Sequence, residues 1–229
     1  MFTPATFDFL RDLRANNSKV WFEANRDRWE AHGRAPLAAF IEAMGPRLEQ
    51  VSAHYPVNTS SRGGAAFRIH RDVRFSKDKS PYKTHLAAQF RHESVRGPLP
   101  VAVHAPGFYL NVAPEGDEPM AGVFGGFGTW MPEPDALRAI RGAIVADPER
   151  WLAAREGQDL EGEALKRPPA GVPADHPCVD DLRLKSFIHV THFSEEEAVA
   201  PDFVDRYTEA CLRARPLVGF VCSALGLPF

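Results

Sequence analysis

The order of predicted helices and strands along this 229-residue chain predicts an α+β fold, an antiparallel sheet flanked by N-terminal and C-terminal helices. Three observations support this prediction. Apolar residues recur at helical spacing over residues 1–55, alternating and glycine-containing stretches fill the middle, and helical spacing returns after residues 134 and 194. Strands and helices are therefore grouped along the chain, unlike the strict alternation that is typical of a parallel sheet.

The N-terminal quarter of the chain is predicted to consist of helices. Thr3 followed by Pro4 predicts a helix start, because the hydroxyl caps free amides and proline fits the first helical position. A second helix is predicted over 18–31 and ends at Gly33, since glycine commonly terminates helices. A third helix is predicted to begin near Pro36.

The middle and end of the chain mix strands with shorter helices. Extended stretches are predicted over 67–75, 82–91, 100–112, 122–130 and 182–193. Helices are predicted from Pro134 and from Asp147, and Ser194 with Glu197 forms a capping box that opens the last helical region.

The length fits one domain. We expect a single α+β domain over 1–229, made of a helical segment (1–55), a sheet-containing body with inserted helices (62–192) and a C-terminal helical segment (194–229).

Composition restricts the classes of partner and the compartment. The formal net charge of -3 argues against a polybasic protein that binds nucleic acid with its whole surface. Three widely spaced cysteines fit reduced, packed thiols and a cytoplasmic location. Asp8 interrupts any signal peptide, and the apolar tail 216–229 is too short to span a bilayer, so no membrane partner is expected.

The segment Phe67–Lys83 is the most informative part of the chain, because it is strongly basic within a mildly acidic protein. Its cations outnumber its two acids, Asp72 and Asp78. Read as a strand over 67–75 and a turn, it places Arg71 on the same face as four apolar residues. An inward guanidinium requires a carboxylate or a bound anion, so the sequence predicts an anion site here.

Further candidate residues come from other parts of the chain. A second basic group consists of Lys166, Arg167, Arg183 and Lys185, and it would join the first if the last strand lies beside the basic one. Asp72 and His176 are candidates for proton transfer. The predicted ligand-binding residues are Arg68, Arg71, Arg74, Lys77, Lys79, Tyr82, Lys83, Lys166, Arg167 and Lys185.

No metal or cofactor is predicted. The chain lacks a His-Glu-x-x-His motif, and the glycines of 122–128 follow neither the dinucleotide nor the Walker pattern. Only a convergence of His70, His85 and His104 from neighbouring strands would provide a metal site.

The basic segment also carries a resemblance to a known family. Residues 71–83, Arg-Asp-Val-Arg-Phe-Ser-Lys-Asp-Lys-Ser-Pro-Tyr-Lys, resemble the signature of the domain of unknown function 2461 family of bacteria and fungi. The resemblance covers most of the chain and implies no established activity or catalytic residue. Its other motifs are Asn16-Asn17 with Trp21-Phe22, 128–132, 165–169, 175–177 and 184–187.

Three functional hypotheses follow from the sequence. The first is an enzyme or binding protein for a small ligand that bears phosphate or carboxylate. The second is a module that binds nucleic acid or another polyanion through the basic strand and turn. The third is a non-catalytic structural protein whose arginines form internal ion pairs. The reaction, if there is one, and the oligomeric state are left open by the sequence.

Overall fold

The computed structural model, which describes residues 1–60, 64–94 and 106–229, places a five-stranded antiparallel sheet against helices from both ends of the chain. The predicted α+β fold, an antiparallel sheet flanked by N-terminal and C-terminal helices, is confirmed. The strands are β1 (Leu86–Arg91), β2 (Gly107–Val112), β3 (Val123–Thr129), β4 (Leu160–Glu161) and β5 (Phe187–Phe193), in the order β1-β2-β3-β5-β4.

Helices precede the sheet and follow it. Thr3 and Thr6 form a capping box at the start of the first helix, and Ser18 caps the second. The helices before the sheet are α1 (Pro4–Ala15), α2 (Lys19–Ala24), α3 (Arg26–Trp29) and α4 (Ala35–Val51). The later helices are α5 (Pro134–Ala146), α6 (Pro148–Ala154), α7 (Val179–Arg183), α8 (Glu195–Val199) and α9 (Phe203–Ala224). The predicted capping box of Ser194 with Glu197 is present at α8.

The predicted helix end at Gly33 is wrong. Gly33 lies in a π-helical turn, Glu30–Arg34, which joins α3 to α4 without a break. Glycine serves packing here, because a Cβ at this position would stand 2.3 Å from a ring carbon of Trp29. Because Gly33 has no side chain, the Trp29 indole lies directly on the backbone. The helix continues through this glycine.

Several strand predictions need new limits. The stretch predicted over 67–75 is wrong, because it is not a regular strand. The last strand begins at Phe187 and not at residue 182, since α7 occupies the residues before it. The strand predicted over 100–112 is found over Gly107–Val112, and residues 100–105 lie outside the described part of the chain.

One face of the sheet packs against the helices and forms the main core. Phe90, Phe108 and Phe127 lie side by side across β1, β2 and β3, and each is 1% exposed or less. Tyr207 of α9 lies against Phe127. A second apolar cluster surrounds Trp151, whose indole N–H donates to a carboxylate oxygen of Asp181 at 2.7 Å. The expectation of one domain over 1–229 stays a prediction.

The second face of the sheet is less deeply buried. Tyr109 and Phe124 are half-buried there, and His192 is exposed. Alternation along the strands puts these side chains opposite to the core residues. None of the helices within residues 1–60, 64–94 and 106–229 combines the length and apolar character needed to cross a bilayer.

Candidate anion-binding surface

The basic segment runs antiparallel to the residues that lead into β1. Residues 65–71 pair with residues 81–89 through four backbone hydrogen bonds of 2.8–2.9 Å. They run from Gln89 to Ala65, Phe67 to Ala87, Lys83 to Ile69 and Arg71 to Pro81, with the amide donor named first. The pairing shifts by two residues between the bridges Ala66–Ala88 and His70–Tyr82. The two extra residues lie between Tyr82 and Ala88, and exposure still alternates over residues 67–74, with Arg68, His70, Asp72 and Arg74 exposed.

The N-terminal helical layer holds the segment in place through Asn17. The Asn17 amide donates to the carbonyl of Tyr82 at 2.9 Å and accepts from the Tyr82 N–H at 3.1 Å. The Tyr82 ring is 3% exposed and stacks on Phe22, with ring centroids 4.0 Å apart. Tyr82, predicted as a ligand residue, is therefore packed inside as an anchor. Burial raises the pKa of its hydroxyl.

The strand interpretation predicted that Arg71 would face the core and lack a partner within the protein. The structure shows that it has such a partner. Its guanidinium forms an ion pair with Asp78, and a second hydrogen bond reaches Ser76 Oγ at 3.4 Å. Hydrogen bonds from the Ser80 hydroxyl and amide, and then Arg71, hold the pKa of Asp78 well below its usual range. Arg71 is half-buried on the same side as Ile69, and its negative partner comes from the protein, so it needs no bound anion.

Arg74 is also satisfied within the segment. Its guanidinium is 2.7 Å from Asp72, and the hydrogen bonds of Arg74 lower the pKa of Asp72 to about 2. Asp72 is ionised and engaged at neutral pH, which makes it a poor group for proton transfer. Arg71 and Arg74 therefore both form internal ion pairs, as expected under the third hypothesis, that of a non-catalytic structural protein.

Lys83 and Arg68 differ from these two arginines, because neither forms an ion pair among the described residues. The Lys83 ammonium lies 4.8 Å from the centre of the Phe67 ring. Burial, and then the charge of Arg68, lower the pKa of Lys83. Arg68 itself is exposed. Two cations therefore lie close together without an ion pair in the described structure, and Asp72, the carboxylate on which the charge of Arg68 acts, is already engaged by Arg74.

His85 completes this group. Its pKa is lowered to about 4, first by burial and then by the positive charge of Lys83. The imidazole is therefore neutral at pH 7 and offers one donor and one acceptor nitrogen. We refer to Phe67, Arg68, Lys83 and His85 as the Lys83 surface.

An aromatic row extends from the Lys83 surface across the second face of the sheet. Phe67 meets Tyr109, Tyr109 meets Phe124 and Phe124 meets His192, each pair with ring centroids 6.0 Å apart. Burial raises the pKa of Tyr109. Sequence reasoning missed this row, since only the strand register reveals that these residues are neighbours.

The remaining loop lysines lie at the tip of the segment. Lys77 and Lys79 are exposed, and the Lys79 ammonium donates to the carbonyl of Val73 at 2.9 Å. Phe75 lies between them and Arg74 and is 95% exposed. The sequence had placed this phenylalanine on the core face.

The second basic group does not join the first. Strands β2 and β3 separate β1 from β5, which puts β1 and β5 about 14 Å apart. The register also places Phe187 at the opposite end of the sheet from Leu86. Lys185 pairs with Glu163 at 2.6 Å, while Lys166 and Arg167 are exposed.

The other predicted chemistry is scattered. His176 accepts a hydrogen bond from the Cys178 amide at 3.1 Å within a turn, and Cys178 belongs to the Trp151 cluster. His104 lies outside the described residues. Within the described part of the chain, no group of His, Cys, Asp and Glu is arranged to hold a metal ion.

Comparison with known families agrees with the shared motifs. The family model described as "Conserved hypothetical protein (DUF2461)" matches residues 5–220. The chain belongs to this family. A search of curated proteins and a search of solved structures each found no significant match. In this DUF2461 protein, Asn17 and Phe22 both contact Tyr82, so residues of motifs that are far apart in the sequence meet in the fold.

Proposed function

We propose that this DUF2461 protein binds a small ligand that bears phosphate or carboxylate, at the Lys83 surface. The observation that supports this proposal is that neither Arg68 nor Lys83 forms an ion pair among the described residues, although the charge of Arg68 acts on Asp72. Bringing a second cation towards a half-buried ammonium costs free energy, and a bound anion would recover that cost.

The chemistry of the surface suits an anion. A guanidinium offers planar two-pronged hydrogen bonding, and an ammonium adds a compact charge. Neutral His85 can donate one more hydrogen bond. Any proton transfer to a bound ligand would fall to His85, since Asp72 is engaged by Arg74 and the His176 imidazole accepts a hydrogen bond from the Cys178 amide in a remote turn. The three buried free cysteines fit the cytoplasmic location that we propose.

We expect Arg68→Gln and Lys83→Gln each to weaken phosphate or dicarboxylate binding by at least about tenfold, because each removes a charge-assisted hydrogen bond. Thermal shift and calorimetric titrations of phosphates, nucleotides and dicarboxylates measure the effect. A ligand at about 100 times its Kd should stabilise wild type by about 2.7 kcal/mol.

Lys166→Gln is the matched control, because Lys166 is exposed and lies with the second basic group. It should leave binding unchanged. An equal loss in this variant would show that net charge alone drives binding. If no anion raises the melting temperature of wild type, the proposal fails.

A second candidate function is binding of a single-stranded polyanion at the loop tip, favoured by the exposure of Phe75. A phenylalanine that is 95% exposed beside Arg74 and Lys77 offers one ring for base stacking and cations for phosphates. These side chains are exposed, in contrast to a deep pocket that would exclude a polymer.

For this candidate we expect Phe75→Ala to weaken binding of a single-stranded oligonucleotide by about tenfold, as the loss of one stacked base predicts. Lys77→Gln should reduce the slope of affinity against salt concentration by about one ion. Gel-shift titrations at two salt concentrations measure both effects. Val20→Ala, at another exposed apolar residue, is the control. Absence of retention at low salt would rule out this function.

A further inference from the structure

A groove of about 600 Å³ lies between α6, α9 and the C-terminal residues. This volume falls in the range of small-molecule sites. The groove belongs to the helical layer, because α9 packs on the core face of the sheet and α6 packs on α9. It shares no lining residue with the Lys83 surface.

Two arginines without carboxylate partners line the groove. Arg150 donates to Ser223 Oγ at 3.0 Å, and its guanidinium lies 5.5 Å from the centre of the Phe220 ring. Arg215 is exposed at the edge of the groove. Neither forms an ion pair within the described residues, whereas Arg47 on α4 pairs with Asp205 at 2.7 Å.

The rest of the groove is apolar. Phe220 is 4% exposed and forms part of the floor. Phe229 lies directly on Gly219, where a Cβ would stand 3.0 Å from a carbon of its ring. The glycine therefore lets the ring close one side of the groove. The groove therefore combines two positively charged side chains with apolar walls.

We propose that this groove binds an amphipathic anion, a small ligand with one carboxylate or phosphate and a flat apolar body. The two guanidinium groups would receive the anionic end by charge-assisted hydrogen bonds. The apolar body would lie along Phe220 and Phe229, where burying its surface is favourable. This site is distinct from the Lys83 surface and does not depend on the function proposed there.

The probes are benzoate and phenyl phosphate, with benzamide as an uncharged analogue and inorganic phosphate as an anion without an apolar body. Calorimetry or ligand-observed NMR on the full chain measures the affinities. We expect benzoate and phenyl phosphate to bind at least about tenfold more tightly than benzamide and inorganic phosphate respectively. Binding of benzamide as tight as that of benzoate would overturn the proposal.

Variants separate this groove from non-specific attraction. Arg215→Gln and Arg150→Gln should each weaken phenyl phosphate binding by at least about tenfold. Arg213→Gln is the matched control, because Arg213 is exposed on the same helix and does not line the groove. Arg215 is exposed, so its replacement tests the site even if Arg150→Gln fails to fold. Equal losses in Arg213→Gln, or no binding of any probe at about 10 mM, would refute the site.

Lys83→Gln distinguishes the two surfaces. It should leave phenyl phosphate binding at the groove unchanged, since Lys83 is not among the lining residues. Loss of phenyl phosphate binding in Lys83→Gln together with retention in Arg215→Gln would assign the ligand to the Lys83 surface and remove the groove proposal.

Discussion

Replacing Gly128 with alanine is expected to lower the free energy of unfolding by about 3–5 kcal/mol, a large fraction of the stability of a typical domain. Gly128 has φ of 127°, a conformation that L side chains rarely adopt. A Cβ there would stand 2.1 Å from the Phe187 carbonyl oxygen on β5. Backbone on the neighbouring strand cannot move aside as a flexible side chain can, so β3 and β5 would have to separate.

Gly126→Ala is the matched control on the same strand. Its Cβ would meet the terminal carbon of Ile188 at 3.1 Å, and that side chain can rotate away. We expect a cost below about 1 kcal/mol. Urea unfolding of the three proteins measures the differences. Similar stabilities of Gly128→Ala and wild type would mean that the contact between β3 and β5 is looser than described.

The stability of wild type is expected to fall between pH 6.5 and about pH 4 because of His85. The folded state binds this proton with a pKa of about 4, while the ordinary value is 6.5. Above pH 6.5 neither state carries the proton, so His85 contributes no pH dependence there. As the pH falls below 6.5, the unfolded chain takes up the proton first and is favoured. The loss reaches at most about 3 kcal/mol and is complete below pH 4.

His85→Gln should lack this part of the pH dependence, and urea unfolding at several pH values between 4 and 7.5 measures it. His192→Gln is the control, because the His192 side chain is 70% exposed. It should retain the wild-type slope. Identical slopes in wild type and His85→Gln would show that the folded environment of His85 does not oppose its charge.

The sequence predicts the architecture of this protein better than its site. The helix start at Thr3, the capping box at Ser194 and the order of helices and strands can be identified from local patterns, because local physics sets them. The stop at Gly33 was predicted wrongly, since glycine there serves the packing of Trp29. Single-sequence reasoning has no access to such a contact.

The candidate site shows where local patterns stop being informative. Phe67–Phe75 alternates like a strand, but a two-residue bulge and the acids Asp72 and Asp78 give each arginine a different role. Lys83 was among the predicted ligand residues. The sequence suggested His85 only as a possible metal ligand. The pairing across the bulge determines which residues surround it in the fold, and that pairing cannot be read from the sequence.

Two hydrogen bonds between Asn17 and the Tyr82 backbone connect the helices before the sheet to the residue that precedes Lys83. A ligand that displaces Lys83 would also displace the adjoining Tyr82 peptide unit. Because Asn17 is bonded to that unit, the displacement would reach the start of α2. Isolated fragments that begin at the sheet would lose this tether and should present the cations in many orientations. Occupancy of the site should therefore be detectable from the indole fluorescence of Trp21, three residues after the Ser18 cap.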